Sequence, residues 1–113
     1  MKVVSNTTPI ISLASIGRLD ILRMLFGEII IPQAVYQEIK AKPSYAYWEI
    51  EASYFKVQSI QGKWPQNKLL TSLDLGETEM IILAKEIRAD FVLIDENLAY
   101  KVAQQAGLNV VRT

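Results

Sequence analysis

Five side chains of this sequence offer oxygen from positions where a fold could gather them: Asn6, Glu38, Glu77, Asp95 and Glu96. Carboxylates crowded around one point repel one another and call for a cation. With no histidine and no cysteine, thiolate sites, zinc chemistry and Ser-His or Cys-His catalysis are set aside. What is left is a hard divalent ion, Mg²⁺ or Mn²⁺, held by oxygen with several waters retained. Such an ion activates a water and offsets the charge that develops on a phosphodiester, with two ions roughly 4 Å apart where a site holds a pair.

The surrounding elements must position these groups. Val3 and Val4 read as a short buried strand, and Asn6 stands at its carboxyl end, where open parallel sheets place their ligand crevices. Thr8 before Pro9 reads as a helix N-cap with proline at the first helical position, which accounts for Thr8 and leaves Asn6 unexplained. Helices are predicted over 8–15, stopped by Gly17, and over 18–26, stopped by Gly27. The run EIII is a second buried strand. Pro32 then opens the helix PQAVYQEIKA, whose apolar stripe Ala34, Val35 and Ile39 draws Glu38 toward the buried side. A further helix is predicted over 44–53, a strand at FKVQSI and a polar, exposed loop at QGKWPQN. The remainder gives a helix over 76–88, a buried strand at 91–94, a helix over 97–106 and a last strand NVV. This is a βαβ unit whose first strand ends at Asp95 and Glu96.

Within LGETE, the helical period puts Glu77 on the face of Met80, Ile81, Ala84 and Ile87 and turns Glu79 about 200° away, toward Ile82, Leu83 and Glu86. Glu77 is therefore the candidate. Each residue also has a purely structural account. Asp74 can cap the helix with Glu77 closing a capping box, Asp95 can cap the next helix, Glu38 can be solvated surface, and Asn6 can be a turn or cap residue. Jointly, oxygen ligands recurring at two strand ends and on the inward shoulders of two helices favour a shared site.

The 113 residues, half of them hydrophobic, make one compact domain that buries roughly 65% of its unfolded surface. Twelve basic and twelve acidic residues balance, so no global field marks a general nucleic-acid binder. There is no basic amino-terminal region followed by a long apolar core, and no run approaches the roughly 20 apolar residues that span a bilayer. A soluble, cytoplasmic protein with no membrane partner is expected.

The blocks VVSNTTPIISLASIGRLDIL, EIIIPQAVYQEI, LDLGETEMIILAKE and FVLIDENLAYKVAQQAGLNVV, in this order, resemble a PIN domain. The resemblance covers nearly the whole chain, taken as a single domain over 1–113. It implies an α/β three-layer sandwich with a central, mostly parallel sheet flanked by helices. Through the family's toxin ribonucleases of VapC type it implies a magnesium-dependent endoribonuclease, the toxin of a toxin–antitoxin pair, with RNA as substrate and an antitoxin as partner. By motif, Asn6 falls where the family's first Asp usually stands, Glu38 on its second acid, Glu77 on its third and Asp95 or Glu96 on its fourth; Thr8 matches a small hydroxyl residue near the first acid.

Two departures from the family pattern shape the expectations. Asn6 offers a neutral carbonyl oxygen, removing one negative charge from an ion's surroundings. The alternative reading is therefore a catalytically degenerate PIN domain that binds RNA or protein without cutting. A third is a structural or oligomeric module with Tyr36, Tyr45, Trp48, Tyr54 and Phe55 as core or interface. Relatives of this kind usually continue past the last strand with another helix, whereas this sequence ends at Thr113. An open apolar face on the last strand and its neighbouring helices is expected, closed by a homodimer, with Arg18, Arg23, Lys40 and Lys101 along an RNA path.

Overall fold

The computed structural model describes residues 1–62 and 73–112. From position 63 on, the expected loop QGKWPQN lies outside them. Five strands, β1 (Val3–Ser5), β2 (Ile29–Pro32), β3 (Phe55–Gln58), β4 (Phe91–Leu93) and β5 (Val110–Val111), form one sheet in the order β3-β2-β1-β4-β5, every pair parallel. Among the described residues five α-helices accompany them: α1 (Thr7–Ser15), α2 (Asp20–Phe26), α3 (Gln33–Lys40), α4 (Leu75–Ile87) and α5 (Asn97–Gln105).

The period of two along β1 decides the layers. Val3 points into a core with Ile10, Leu22, Ile29, Val35 and Ile39 under α1, α2 and α3. Val4 points the other way, to Met80, Leu83, Val92, Ala99 and Val102 under α4 and α5. Both valines are fully buried, as strands covered on both faces require. The result is the expected three-layer sandwich. None of the helices among the described residues is long and apolar enough to cross a membrane.

Local chemistry moves several boundaries. Asn6, not Thr8, is the N-cap of α1, with extended φ −78 and ψ 174. Pro9 then falls inside the first turn, where its missing N–H leaves no bond unmade. Pro32 ends β2 and caps α3 instead of opening it. The helix expected over 44–53 is reduced to a 3₁₀ turn at Glu49–Glu51, because buried Ala46 takes a left-handed φ of 70, which a right-handed helix cannot continue through. Among the described residues the last strand itself shows no open apolar face, though Leu75 at the start of α4 is exposed: Val110 and Val111 are half-buried, packed against the two cores on opposite faces of the sheet. The exposed large apolar side chains include Ile16, Met24, Leu25 and Trp48, from other parts of the chain.

Helix α4 ends on Arg88, an exposed non-glycine residue in the left-handed region (φ 55, ψ 57), whose N–H closes onto Ala84 and Lys85 carbonyls. Glycine adopts that conformation without a Cβ clash. Arg88→Gly is expected to stabilise the protein by about 1 kcal/mol, read in urea unfolding as a higher midpoint at unchanged slope.

Candidate active site

The sheet order locates the crevice. From central β1 the chain moves outward to β2 and β3, then crosses back to add β4 and β5 on the other side. The reversal lies between β1 and β4, and ligand crevices form outside the carboxyl ends of strands at such a switch. Asn6 leaves β1 there, and Asp95 and Glu96 leave β4.

Asn6 is 2% exposed. Its backbone N–H donates to the Leu93 carbonyl at 3.1 Å, extending the β1–β4 ladder by one residue, and its Oδ1 accepts from the Thr7 N–H at 2.8 Å. Two residues on, the Thr8 hydroxyl donates to Glu96 Oε1 at 3.0 Å. Across the crevice, α4 begins with a capping box: Asp74 Oδ1 accepts from the Glu77 N–H at 2.8 Å and Glu77 Oε1 accepts from the Asp74 N–H at 3.1 Å. Gly76 sits between the two sides. A Cβ added there would lie 3.6 Å from Asp74 Oδ1 and 3.8 Å from Asn6 Oδ1, so glycine leaves a niche one methyl wide bordered by these oxygens. The neighbouring Thr7 Oγ1 is buried with no hydrogen-bond partner among the described residues.

Glu77 is the electrostatic centre of this group. It is 6% exposed, and burial pushes its carboxyl from the ordinary 4.5 up to about 7, aided by a hydrogen bond to the Glu96 carboxyl and opposed by the Asp74 N–H. Burial and a neighbouring carboxyl both favour the neutral form of Glu77.

The pattern of the PIN-domain family matches residues 2–113. The chain is a PIN domain. A solved structure described as a domain of a functionally unknown protein from Methanocaldococcus jannaschii DSM 2661 shares the fold. It aligns with a TM-score of 0.63 over 99% of this chain and 90% of that one, at 22% identity. None of the curated proteins matches the chain. PIN domains in general are nucleases that use divalent metals.

Against that family pattern, this PIN domain brings Asn6, Thr8, Glu77 and Glu96 together and adds Asp74, which the sequence suggests only as a cap. Asp95 is half-buried one residue before Glu96, and Glu96, not Asp95, occupies the N-cap position of α5 without a side-chain cap bond. Glu38 does not lean inward. It is exposed, and its side chain makes no hydrogen bond or ion pair among the described residues. No basic side chain among the described residues pairs with it, and an unpaired carboxylate stays hydrated. Glu79 turns away from the cluster as its helical phase requires, and caps α3 by accepting from the Ala34 N–H at 3.1 Å.

The donor chemistry fits a hard divalent cation: oxygen only, an amide and carboxyls bordering a niche, and an orphaned buried hydroxyl alongside. Among the described residues no three acidic side chains stand around one point as a ready cage. Their oxygens are knit to one another and to backbone N–H groups instead.

A raised carboxyl pKa makes folding unfavourable to ionisation. Below pH 4.5 Glu77 is protonated in both states; as pH climbs toward about 7 the unfolded chain ionises first and stability is lost. Glutamine can accept from the Asp74 N–H and donate to Glu96 without titrating. Glu77→Gln without divalent cations is therefore expected to melt at a higher temperature than the natural chain at pH 8, the gap closing by pH 4.5.

Proposed function

We propose that this PIN domain is a Mg²⁺- or Mn²⁺-dependent endoribonuclease, with the toxin role of a toxin–antitoxin pair as its setting. The observation that carries the reading is that buried Asn6 and buried Glu77 lie at the β1–β4 switch point with the exposed carboxylates of Asp74 and Glu96 beside them. Asn6, Glu77 and Glu96 would hold the cation, with Asp95 at the same strand end and Glu38 from α3 as further oxygen ligands. When bound, the cation lowers the pKa of a coordinated water and offsets charge on the phosphodiester. The chain's own part is preparation. The Asp74 N–H fixes one Glu77 oxygen and the Thr8 hydroxyl fixes one Glu96 oxygen, and Glu77, held neutral by burial, would give up its proton on taking a cation.

A second reading, an RNA- or protein-binding module that does not cut, draws support from Asn6. Its Oδ1 is neutral and already accepts from Thr7. One pair of measurements separates the two. Calorimetry of Asn6→Asp should show Mn²⁺ binding about tenfold tighter, ~1.4 kcal/mol, a fraction of the ~4 kcal/mol that unit charges exchange at 4 Å in a partly screened site. RNA cleavage by the unmodified chain should require Mn²⁺ or Mg²⁺ and disappear in Glu77→Ala. RNA bound but uncut would establish the binding module instead.

The same reading places the chain in a homodimer. Ile16, Met24 and Leu25, all about two-thirds exposed in the α1–α2 segment, support self-association there. Light scattering should give a dimer that Met24→Glu splits.

A further inference from the structure

We infer that Arg112 anchors a phosphate of the nucleic-acid strand at the rim of the acidic cluster, an inference that rests on the nuclease reading above. Sheet register supplies the first observation. Ser5 pairs with Leu93 and Leu93 with Val111, so Asn6, Ile94 and Arg112 form the next rank at the carboxyl edge. Adjacent strands lie about 4.8 Å apart, which sets the Arg112 backbone about 10 Å from that of Asn6.

The second observation is how the guanidinium is held. Arg112 Nη2 donates to Asn97 Oδ1 at 2.7 Å and to the Asp95 carbonyl at 3.4 Å, and the group stacks over the Tyr100 ring at 4.7 Å. Both hydrogen bonds use Nη2. Nε and Nη1 have no protein partner among the described residues, and no carboxylate pairs with the group although Asp95 and Glu96 are beside it in the same turn. It is an exposed cation held from one side, with donors to spare.

The other basic residues considered for an RNA path are differently placed. Arg18 pairs with Asp20 at 3.3 Å, Arg23 lies over Tyr54, and Lys40 sits 3.7 Å from the Tyr47 ring centroid. These three belong to α2 and its approach and to the far end of α3, which leads into the amino edge of the sheet. Lys101 lies mid-α5. An acidic cluster repels a polyanion. A strand brought to it needs a cation at the rim, and a planar fork with free N–H groups matches two phosphate oxygens. Because Arg112 also grips the Asp95 carbonyl and Asn97, it fixes the phosphate relative to Glu96, the residue between them.

The experiment measures binding of a labelled, short single-stranded RNA by fluorescence anisotropy in Ca²⁺, across a salt series, alongside Mn²⁺-dependent cleavage of the same RNA. Arg112→Gln should bind about tenfold more weakly, and its slope of log affinity against log salt should shrink by about 0.7, one single-strand phosphate contact. Arg112→Lys should keep the slope and recover part of the affinity. Asn97→Ala, which removes a partner of the guanidinium but no charge, should leave the slope unchanged. Natural chain that binds and cuts while Arg112→Gln matches it in affinity and slope would overturn this inference alone. Equal loss of affinity in the Gln and Lys variants at unchanged slope would reduce Arg112 to a local brace and overturn it too. Natural chain that neither binds nor cuts the RNA would overturn the nuclease reading and this inference with it.

Discussion

The molecule depends on the parallel pairing of β1 with β4. β1 is only three residues long, yet it is hydrogen-bonded on both sides and covered on both faces, and it is the strand from which the sheet grows first one way and then the other. A buried strand with unmade backbone bonds would cost several times the net value of each bond, so its ladder is completed even past its end, where the Asn6 N–H reaches the Leu93 carbonyl. That last bond also serves the site. It holds the Asn6 backbone against β4, and a side chain leaving an immobilised backbone has little freedom to wander from the crevice.

Polar groups gathered at that crevice must be satisfied without neutralising what they are for. The arrangement does so by making helix caps and candidate ligands the same atoms. Asp74 and Glu77 satisfy each other's N–H groups at the start of α4, and Asn6 satisfies the first N–H of α1. Each is a structural need met anywhere in proteins by such residues. Here both helix starts open onto one niche at Gly76, so capping oxygens become available together. Only Glu77 is left in tension, itself buried beside exposed carboxyls and short of positive charge. Structural and site roles therefore coincide, and neither account excludes the other.

This overlap explains what the sequence discloses. The strands are readable because Val3–Val4, Ile29–Ile31 and Phe91–Leu93 are apolar runs bounded by polar residues, and α4 because its apolar phase is long. Glu77 follows from that phase. Asp95 and Glu96 cannot be told apart, since both lie beyond the regular end of β4, where alternation of sides no longer holds. Asp74 is hidden because a cap is already a sufficient reason for it. Only the burial of Glu38 is misjudged, because a helical wheel gives direction, while whether a carboxylate stays dry depends on a partner cation that the wheel does not contain. The aromatic segment before β3 fails for a different reason: Ala46 takes a left-handed conformation that nothing in its chemistry announces. Arg112 is the omission with a usable signal. The strand-end argument applied to Asn6 and Asp95 applies equally one residue past Val111.

Charge balance over the whole chain then says little about what the crevice can bind. Twelve positive and twelve negative charges cancel in the sum, but interactions with exposed charges fade over about 10 Å at moderate salt, so a ligand at the sheet edge feels only its neighbours. Those neighbours are sorted by strand. Acids and an amide follow β1 and β4, and a guanidinium follows β5, one strand spacing farther out. On the proposed reading, a polyanion approaching from the β5 side would meet the cation first and the acids second, where a metal would offset its charge. The ordering of strands thereby sets an order of encounter, and parallel pairing, which puts every carboxyl end at one edge, is what makes that order possible.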